Sequence, residues 1–283
     1  VVTGSYIKGS PTDGASPVEI ISRDTIDALS ASTVADITAN LSINSGSENN
    51  VDSFTSGATQ GTGNVNLRGL GLTSTLVLLD GKRHTLAGIA ANDGSVFVNT
   101  NIIPVNAIER VEVLKEGAAS VYGSDAVAGV VNYIFRRDFE GIEVDVSSQE
   151  ADLGGQTDDK VSVIFGTPLG NGNLVVAVSS LDRSPLFGSA FNPSLVPLGI
   201  SGFGTSFLAF GGGTVESGPY AGTYSFLENI PDPNCIANKG ILLPQASGQR
   251  CGFFFGDRFN LVNDEDHLNT CLLYTSPSPR DVC

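Results

Sequence analysis

The sequence predicts a small α+β domain followed by long antiparallel strands with one apolar and one polar face. Three observations carry this. Short strand and helix patterns alternate up to about residue 137, a two-residue alternation takes over from 138, and Gly, Pro and Phe crowd a long connection at about 185–260. The 283 residues include 34 Gly and 13 Pro, with 15 Lys plus Arg against 30 Asp plus Glu. A net charge of −15 argues against a nucleic-acid partner, because phosphate binding needs clustered Lys and Arg. At 41% hydrophobic and 16% charged, the chain has apolar surface for one or two cores. No apolar run approaches the roughly 18–20 residues of a spanning helix, which excludes a helical membrane protein and leaves a β-barrel open. The lack of Met reads as a processed or truncated piece, and no signal peptide is recognisable.

In the first domain Pro17–Ser22 reads as a strand and residues 24–29 as a helix, with Asp24 as N-cap. A second helix, about 33–41, begins at Ser32/Thr33 and sets Val34, Ile37 and Leu41 on one face. Asn64–Arg68 and Thr75–Leu79 read as strands, the second ending in an Asp80-Gly81 turn. Pro104–Ile108 suits a short helix with Pro at its first position. Glu109–Lys115 alternates as a strand. The stretch GAASVYGSDAVAG reads as two helical turns parted by Gly123, the second capped by Ser124, and Val130–Phe135 closes the domain.

Beyond 138, Ile142, Val144 and Val146 alternate with Glu143, Asp145 and Ser147. Val161, Val163 and Phe165 alternate with Ser162, Ile164 and Gly166; a tight PLGNG turn then leads into 173–183. Strands of this kind suit an outer-membrane barrel or a soluble antiparallel sheet with one wet face, and their pattern alone does not choose. The connection at 185–260 holds ten of the fifteen Phe, with a hairpin expected between Thr205–Phe210 and Thr214–Phe226. From Cys271 the text CLLYTSPSPRDVC resembles a translated sequencing adapter, so 271–283 is read as a non-native tail. Of the cysteines outside it, Cys235 and Cys251 suggest one local disulfide and an oxidising compartment, with two free thiols as the alternative.

Catalytic chemistry is sparse. Gly69-Leu70-Gly71 is no dinucleotide fingerprint, His84 and His267 are far apart, and the acidic pairs Glu109/Glu112 and Asp158/Asp159 sit where a wet strand face or loop would put them. No catalytic residue, cofactor or metal site is assigned.

Five stretches occur in order: VVTGSYI, SPVEIISRDTIDAL, TVADITANLSINSG, NLRGLGLTSTLVLLDGKR and IPVNAIERVEVLKEGAASVYGSDAVAGVVNYIFRRDFEG. Together they resemble the plug domain of TonB-dependent outer-membrane receptors, continuing into the first barrel strands, over nearly all of residues 1–150. The resemblance implies a plug at 1–137, and at 138–270 the start of an incomplete, roughly 22-stranded transmembrane β-barrel with a long extracellular loop. It implies active uptake of a scarce nutrient across the outer membrane of a Gram-negative bacterium, and no enzyme activity. The implied partners are TonB with its inner-membrane energising complex, a small-molecule nutrient and outer-membrane lipid. The TonB box, which pairs with TonB by strand addition, falls at or just before Val1-Val2-Thr3. Arg68, Gly69, Asp80, Gly81, Glu109, Arg110, Glu112, Gly117, Tyr122, Gly123, Gly129 and Asn132 match plug-motif positions. Of these, Arg68, Glu109 and Arg110 are either ionic contacts from plug to barrel or local pairs that hold the plug fold.

Lys115-Glu116-Gly117-Ala118 stands where many members have Lys-Gly-Pro, a variant similar to the branch common in carbohydrate- and polymer-using bacteria. Ligand contacts are expected at about His84–Ser95, 45–60 and 185–260. Ten Phe and two Tyr beside few basic side chains lean toward an oligosaccharide; a ferric siderophore or cobalamin receptor, a signalling receptor and a soluble β-rich binding protein are the alternatives.

Overall fold

The computed structural model describes residues 18–48, 59–115, 119–152, 155–191, 200–201, 206–245, 248–254 and 260–275. Val1, Val2, Thr3, Gly117, the segment 49–58 and the tail 276–283 lie outside them. The described residues form two compact units, one up to Pro185 together with those from Val262, the other from Leu186 to Leu261.

The first unit opens with a mixed sheet of β1 (Val18–Ser22), β2 (Thr75–Leu79), β3 (Lys82–Arg83), β4 (Ile108–Leu114) and β5 (Gly129–Phe135), in the order β1-β4-β5-β2-β3. Only β2 and β5 run parallel. The central strands are Val-rich because both of their faces are covered: Val111, Val113, Val130 and Val131 are wholly buried. Two short helices, α1 (Arg23–Ala28) and α2 (Val34–Ala39), follow β1. Thr33 and Asp36 form a capping box on α2, and Val34, Ile37 and Leu41 turn into the core as the spacing predicts.

Three local expectations give way. The N-cap of α1 is Ser22, whose extended backbone suits that position and whose Oγ accepts from Thr25 N; Asp24 lies inside the first turn, where its charge favours the helix dipole. Asn64–Arg68 makes a single bridge, Asn44 to Leu67, because its asparagines serve loop amides: Glu48 N donates to Asn64 Oδ1 at 2.8 Å and Gly71 N to Asn66 Oδ1 at 3.0 Å. Ser124 does not cap its turn; Gly123, at φ 89°, precedes it, and the Ser124 hydroxyl bonds the neighbouring Asp125 carboxylate.

The same unit carries β6 (Gly141–Glu150), β7 (Thr157–Leu169) and β8 (Gly172–Arg183), an antiparallel meander. The second unit holds β9 (Leu186–Phe187), β10 (Ile200–Ser201), β11 (Ser206–Leu208), β12 (Gly213–Val215), β13 (Gly222–Tyr224), β14 (Asn229–Pro231), β15 (Ile241–Gln245) and β16 (Gly248–Phe254). After β17 (Asn260–Val262), the chain returns as β18 (Glu265–Thr275), which pairs with β8. In the second unit β11 pairs with β14 and β12 with β13, a nested ladder that turns at Gly218. The expected turn at Gly211-Gly212-Gly213 is instead an irregularity within one arm, its three positive φ angles interrupting the ladder.

Register sorts the wall β6-β7-β8-β18 into two faces. Ile142, Val144 and Val146 stand opposite Phe165, Val163 and Val161, and the middle of this face is apolar; Leu268, Leu272 and Tyr274 continue it on β18. Val146 and Leu268 are each 72% exposed. On the other face Ile164, Val175 and Ala177 join one core with Ile103, Val105 and Ala107 of the first domain. β18 extends through Thr275, so Cys271–Thr275 of the expected tail take strand positions, with Cys271 and Leu273 packed on that core.

Ile37 is fully buried beneath the sheet, and its truncation leaves a cavity. Ile37→Ala should destabilise the first domain by about 2–4 kcal/mol, read as a lowered denaturation midpoint at unchanged slope.

Candidate functional site: the interface between domain and wall

The connection from β5 to β6 sits in a fitted seat. Asp80 and Gly81 both adopt left-handed angles, and Asn132 Oδ1 accepts from Gly81 N at 2.9 Å. This aims the Asp80 carboxylate at the chain leaving β5. Its Oδ1 accepts from Phe135 N at 3.1 Å and its Oδ2 from Arg137 Nε at 2.8 Å. Arg136 makes a two-pronged contact with Glu143 of β6, at 2.9 and 2.8 Å, while its guanidinium lies 4.3 Å from the Phe139 ring centre. Asn173 Nδ2 donates to the carbonyls of Arg137 and Phe139, each at 3.0 Å. Gly166 completes the seat: a Cβ there would lie 1.9 Å from the Phe139 carbonyl oxygen.

Further along the wall the contacts are single hydrogen bonds to main-chain oxygens. Gln149 Nε2 donates to Ser30 O at 2.7 Å and Lys160 Nζ to Ala31 O at 2.9 Å. Asn106 Nδ2 donates to Val178 O at 3.3 Å, and Asn269 Nδ2 to Asn101 O at 2.8 Å. Where β7 and β18 begin and β8 ends, Arg183 is buried between two carboxylates. It bonds Asp158 at 2.9 and 2.6 Å and Glu265 at 3.1 Å, and Glu265 in turn pairs with His267.

Arg68, Gly69, Glu109, Arg110, Glu112 and Gly129 make contacts within the domain's own fold. Arg110 pairs with its neighbours on β4, Glu109 at 3.0 Å and Glu112 at 2.9 Å, and the Arg68 guanidinium donates to Lys115 O. Arg68 and Gly69 both turn left-handed, at φ 59° and 65°. Gly129 lies where a Cβ would stand 2.6 Å from Leu114 O, so only Gly lets β4 and β5 meet there. Arg83 ties Tyr122 O and Asp125 together, and its hydrogen bond holds the Asp125 carboxyl below the usual carboxylate range. Of the motif residues, Asp80, Gly81 and Asn132 build the junction with the wall. The wall side, Gln149, Lys160, Gly166 and Asn173, was not singled out from the sequence; all four occupy inward positions by strand parity.

Two regions named for ligand contact show open surface. His84, Leu86, Val96 and Arg83 line a crevice of about 360 Å³ in the first unit. In the second unit Phe207, Phe210 and Phe226 are exposed, Phe210 by 79%. The Cys235 and Cys251 sulfurs are bonded, with Gly240 packed so closely that a Cβ would lie 2.8 Å from either sulfur. Among the described residues no cluster of three His, Cys, Asp or Glu is arranged for a metal ion.

A mixed α+β domain seated on one face of a four-stranded antiparallel wall, whose other face is apolar along its middle, is the arrangement of a plug against the start of a membrane barrel. Residues 10–130 match the family model of the TonB-dependent receptor plug domain, and this part of the chain is a plug domain of that kind. This places it in the outer membrane of a Gram-negative bacterium. Among solved structures it is similar to the ferric enterobactin receptor of Pseudomonas aeruginosa in complex with enterobactin, at 22% identity and TM-score 0.48, over 73% of this chain and 29% of that one. It is similar also to a siderophore receptor of Acinetobacter baumannii, at 22% identity and TM-score 0.45, over 62% and 26% of the two chains. The unliganded ferric citrate transporter gives 18% identity and TM-score 0.45, over 62% and 26%. The chain thus spans less than a third of the length of these receptors.

Gly166→Ala should drive the Phe139 carbonyl off the wall and loosen the seat. Trypsin cleavage after Arg136 and Arg137 should then quicken by about ten-fold, read on gels against the parent protein.

Proposed function

We propose that the complete protein takes up a scarce nutrient across the outer membrane, driven by TonB. One observation carries this reading: the plug rests on the inner wall chiefly through small apolar side chains and single hydrogen bonds to carbonyls. Such contacts exchange with water at a net cost of about 1 kcal/mol each, so applied force can displace the plug without leaving stranded groups. A nutrient binds from outside on the long loop and the plug, the segment at Val1-Val2-Thr3 pairs with TonB, and the plug rearranges to admit the cargo. No step requires covalent catalysis.

Two cargo classes each have an observation in their favour. Exposed Phe207, Phe210 and Phe226 offer stacking faces for sugar rings, while residues 185–260 carry only Lys239, Arg250 and Arg258 as cations. This supports an oligosaccharide or a similarly neutral ligand. The receptors named among the similar structures take ferric siderophores and ferric citrate, which supports a ferric chelate instead.

Labelled oligosaccharide and ferric siderophore should be offered to cells that carry the complete receptor, with and without TonB. One class should enter only when TonB is present, while binding to the surface persists in both strains. Uptake that ignores TonB overturns the transport reading. For a stacked sugar, Phe210→Ala should weaken binding by up to about ten-fold; for a chelate it should not.

A further inference from the structure

Lys160 is buried, yet it donates to a main-chain carbonyl, Ala31 O. Among the described residues no carboxylate forms a salt bridge with it. A carbonyl dipole replaces only part of the hydration of a buried ammonium, so this arrangement is tolerated rather than optimal. Beside it Gln149 grips the preceding carbonyl, Ser30 O, where the backbone turns left-handed at φ 49°. Two inward side chains on adjacent strands therefore hold consecutive carbonyls of the elbow between α1 and α2.

The register supplies a second partner. Lys160 stands opposite Ser147 and Asp145 opposite Ser162, so Asp145 and Lys160 are diagonal neighbours on one face. Diagonal neighbours lie about 7–8 Å apart, within reach of a long side chain. Asp145 is exposed, and a crevice of about 370 Å³ between α1 and the wall, lined by Asp27, Ser30, Asp145, Lys160 and Ser162, gives the ammonium room to swing.

We propose that Lys160 is a two-position latch: it holds the plug elbow through Ala31 O at rest and pairs with Asp145 when the elbow withdraws. The exchange gives the cation a partner at both ends of the movement, so departure of the elbow leaves no uncompensated charge on the lumen wall. The swing to Asp145 rests on the transport reading; the grip on the elbow does not.

Two measurements on the complete receptor separate these. In the resting protein, Lys160→Gln should raise hydrogen exchange of the amides at 28–34 several-fold, Lys160→Arg should restore protection, and Asp145→Asn should leave it unchanged. Unaltered exchange in Lys160→Gln overturns the latch whatever the protein transports. In cells, Asp145→Asn should slow TonB-dependent uptake by roughly five-fold at unchanged cargo affinity, and should add no further slowing to Lys160→Gln. Parental uptake in Asp145→Asn, or full additivity of the two changes, overturns the swing. Uptake by the parent receptor that does not depend on TonB defeats the transport reading and the swing together, and leaves the resting grip to stand on its exchange data.

Discussion

A strand that crosses a membrane has two faces in two different solvents, and the seating of the plug on the wall follows from that. Side chains alternate with a period of two, so a slip of one residue in β7 would send Lys160, Ser162 and Asp158 into lipid and bring Val161 and Phe165 onto the plug. The penalty for burying those polar groups in hydrocarbon is several kcal/mol each, far above what any single cross-strand pair supplies. The solvent difference therefore fixes the register, and the register in turn fixes which side chains the plug meets.

What the plug meets is graded. Near the middle of the wall Ile164, Val175 and Ala177 are apolar and small enough to pack beside Ile103, Val105 and Ala107. Toward the β6–β7 connection the contacts turn to Gln149 and Lys160 on main-chain oxygens, and at the β5–β6 connection to Arg136, Arg137 and Asn173. A wholly apolar interface would bind the plug as tightly as a domain core. A wholly ionic one would carry a large desolvation cost in the closed state. The mixture keeps the plug seated while leaving most of its contacts replaceable by water.

Much of this was legible in the sequence because it is local. The Val-rich strands at 75–79, 108–114 and 129–135, the capping box of Thr33 and Asp36 and the two-faced strands at 141–183 are each set by neighbours a few residues away. The pairs at Arg110 belong with them: residues two apart on a strand share a face, so Arg110 meets Glu112 without help from the barrel. Asn64–Arg68 misled because alternation can also arise in a loop whose asparagines bond main-chain amides. The glycine triplet misled because Gly permits a turn without requiring one, and Gly218 took that place. Lys160 on Ala31 is beyond any local pattern, since 129 residues separate the two. Parity marks Lys160 as inward; only the assembled sheet shows what stands before it.

The two attachments of the plug differ in kind, and the difference sets which yields first. At the junction, the Phe139 carbonyl fills the space left by Gly166, two carbonyls share Asn173, and Asp80 holds both Phe135 and Arg137. Those contacts reinforce one another within one short stretch of chain, so they give way together rather than singly. At the elbow, two side chains hold two carbonyls, with no steric fit and a neighbouring carboxylate ready to take the lysine. A pull that enters through the residues before β1 reaches the elbow after α1 and the junction only after the whole sheet. The elbow is both nearer to that load and more weakly held. On the proposed transport reading, displacement begins on the side of the plug facing β6 and β7, while the connection to β6 keeps the plug registered for its return.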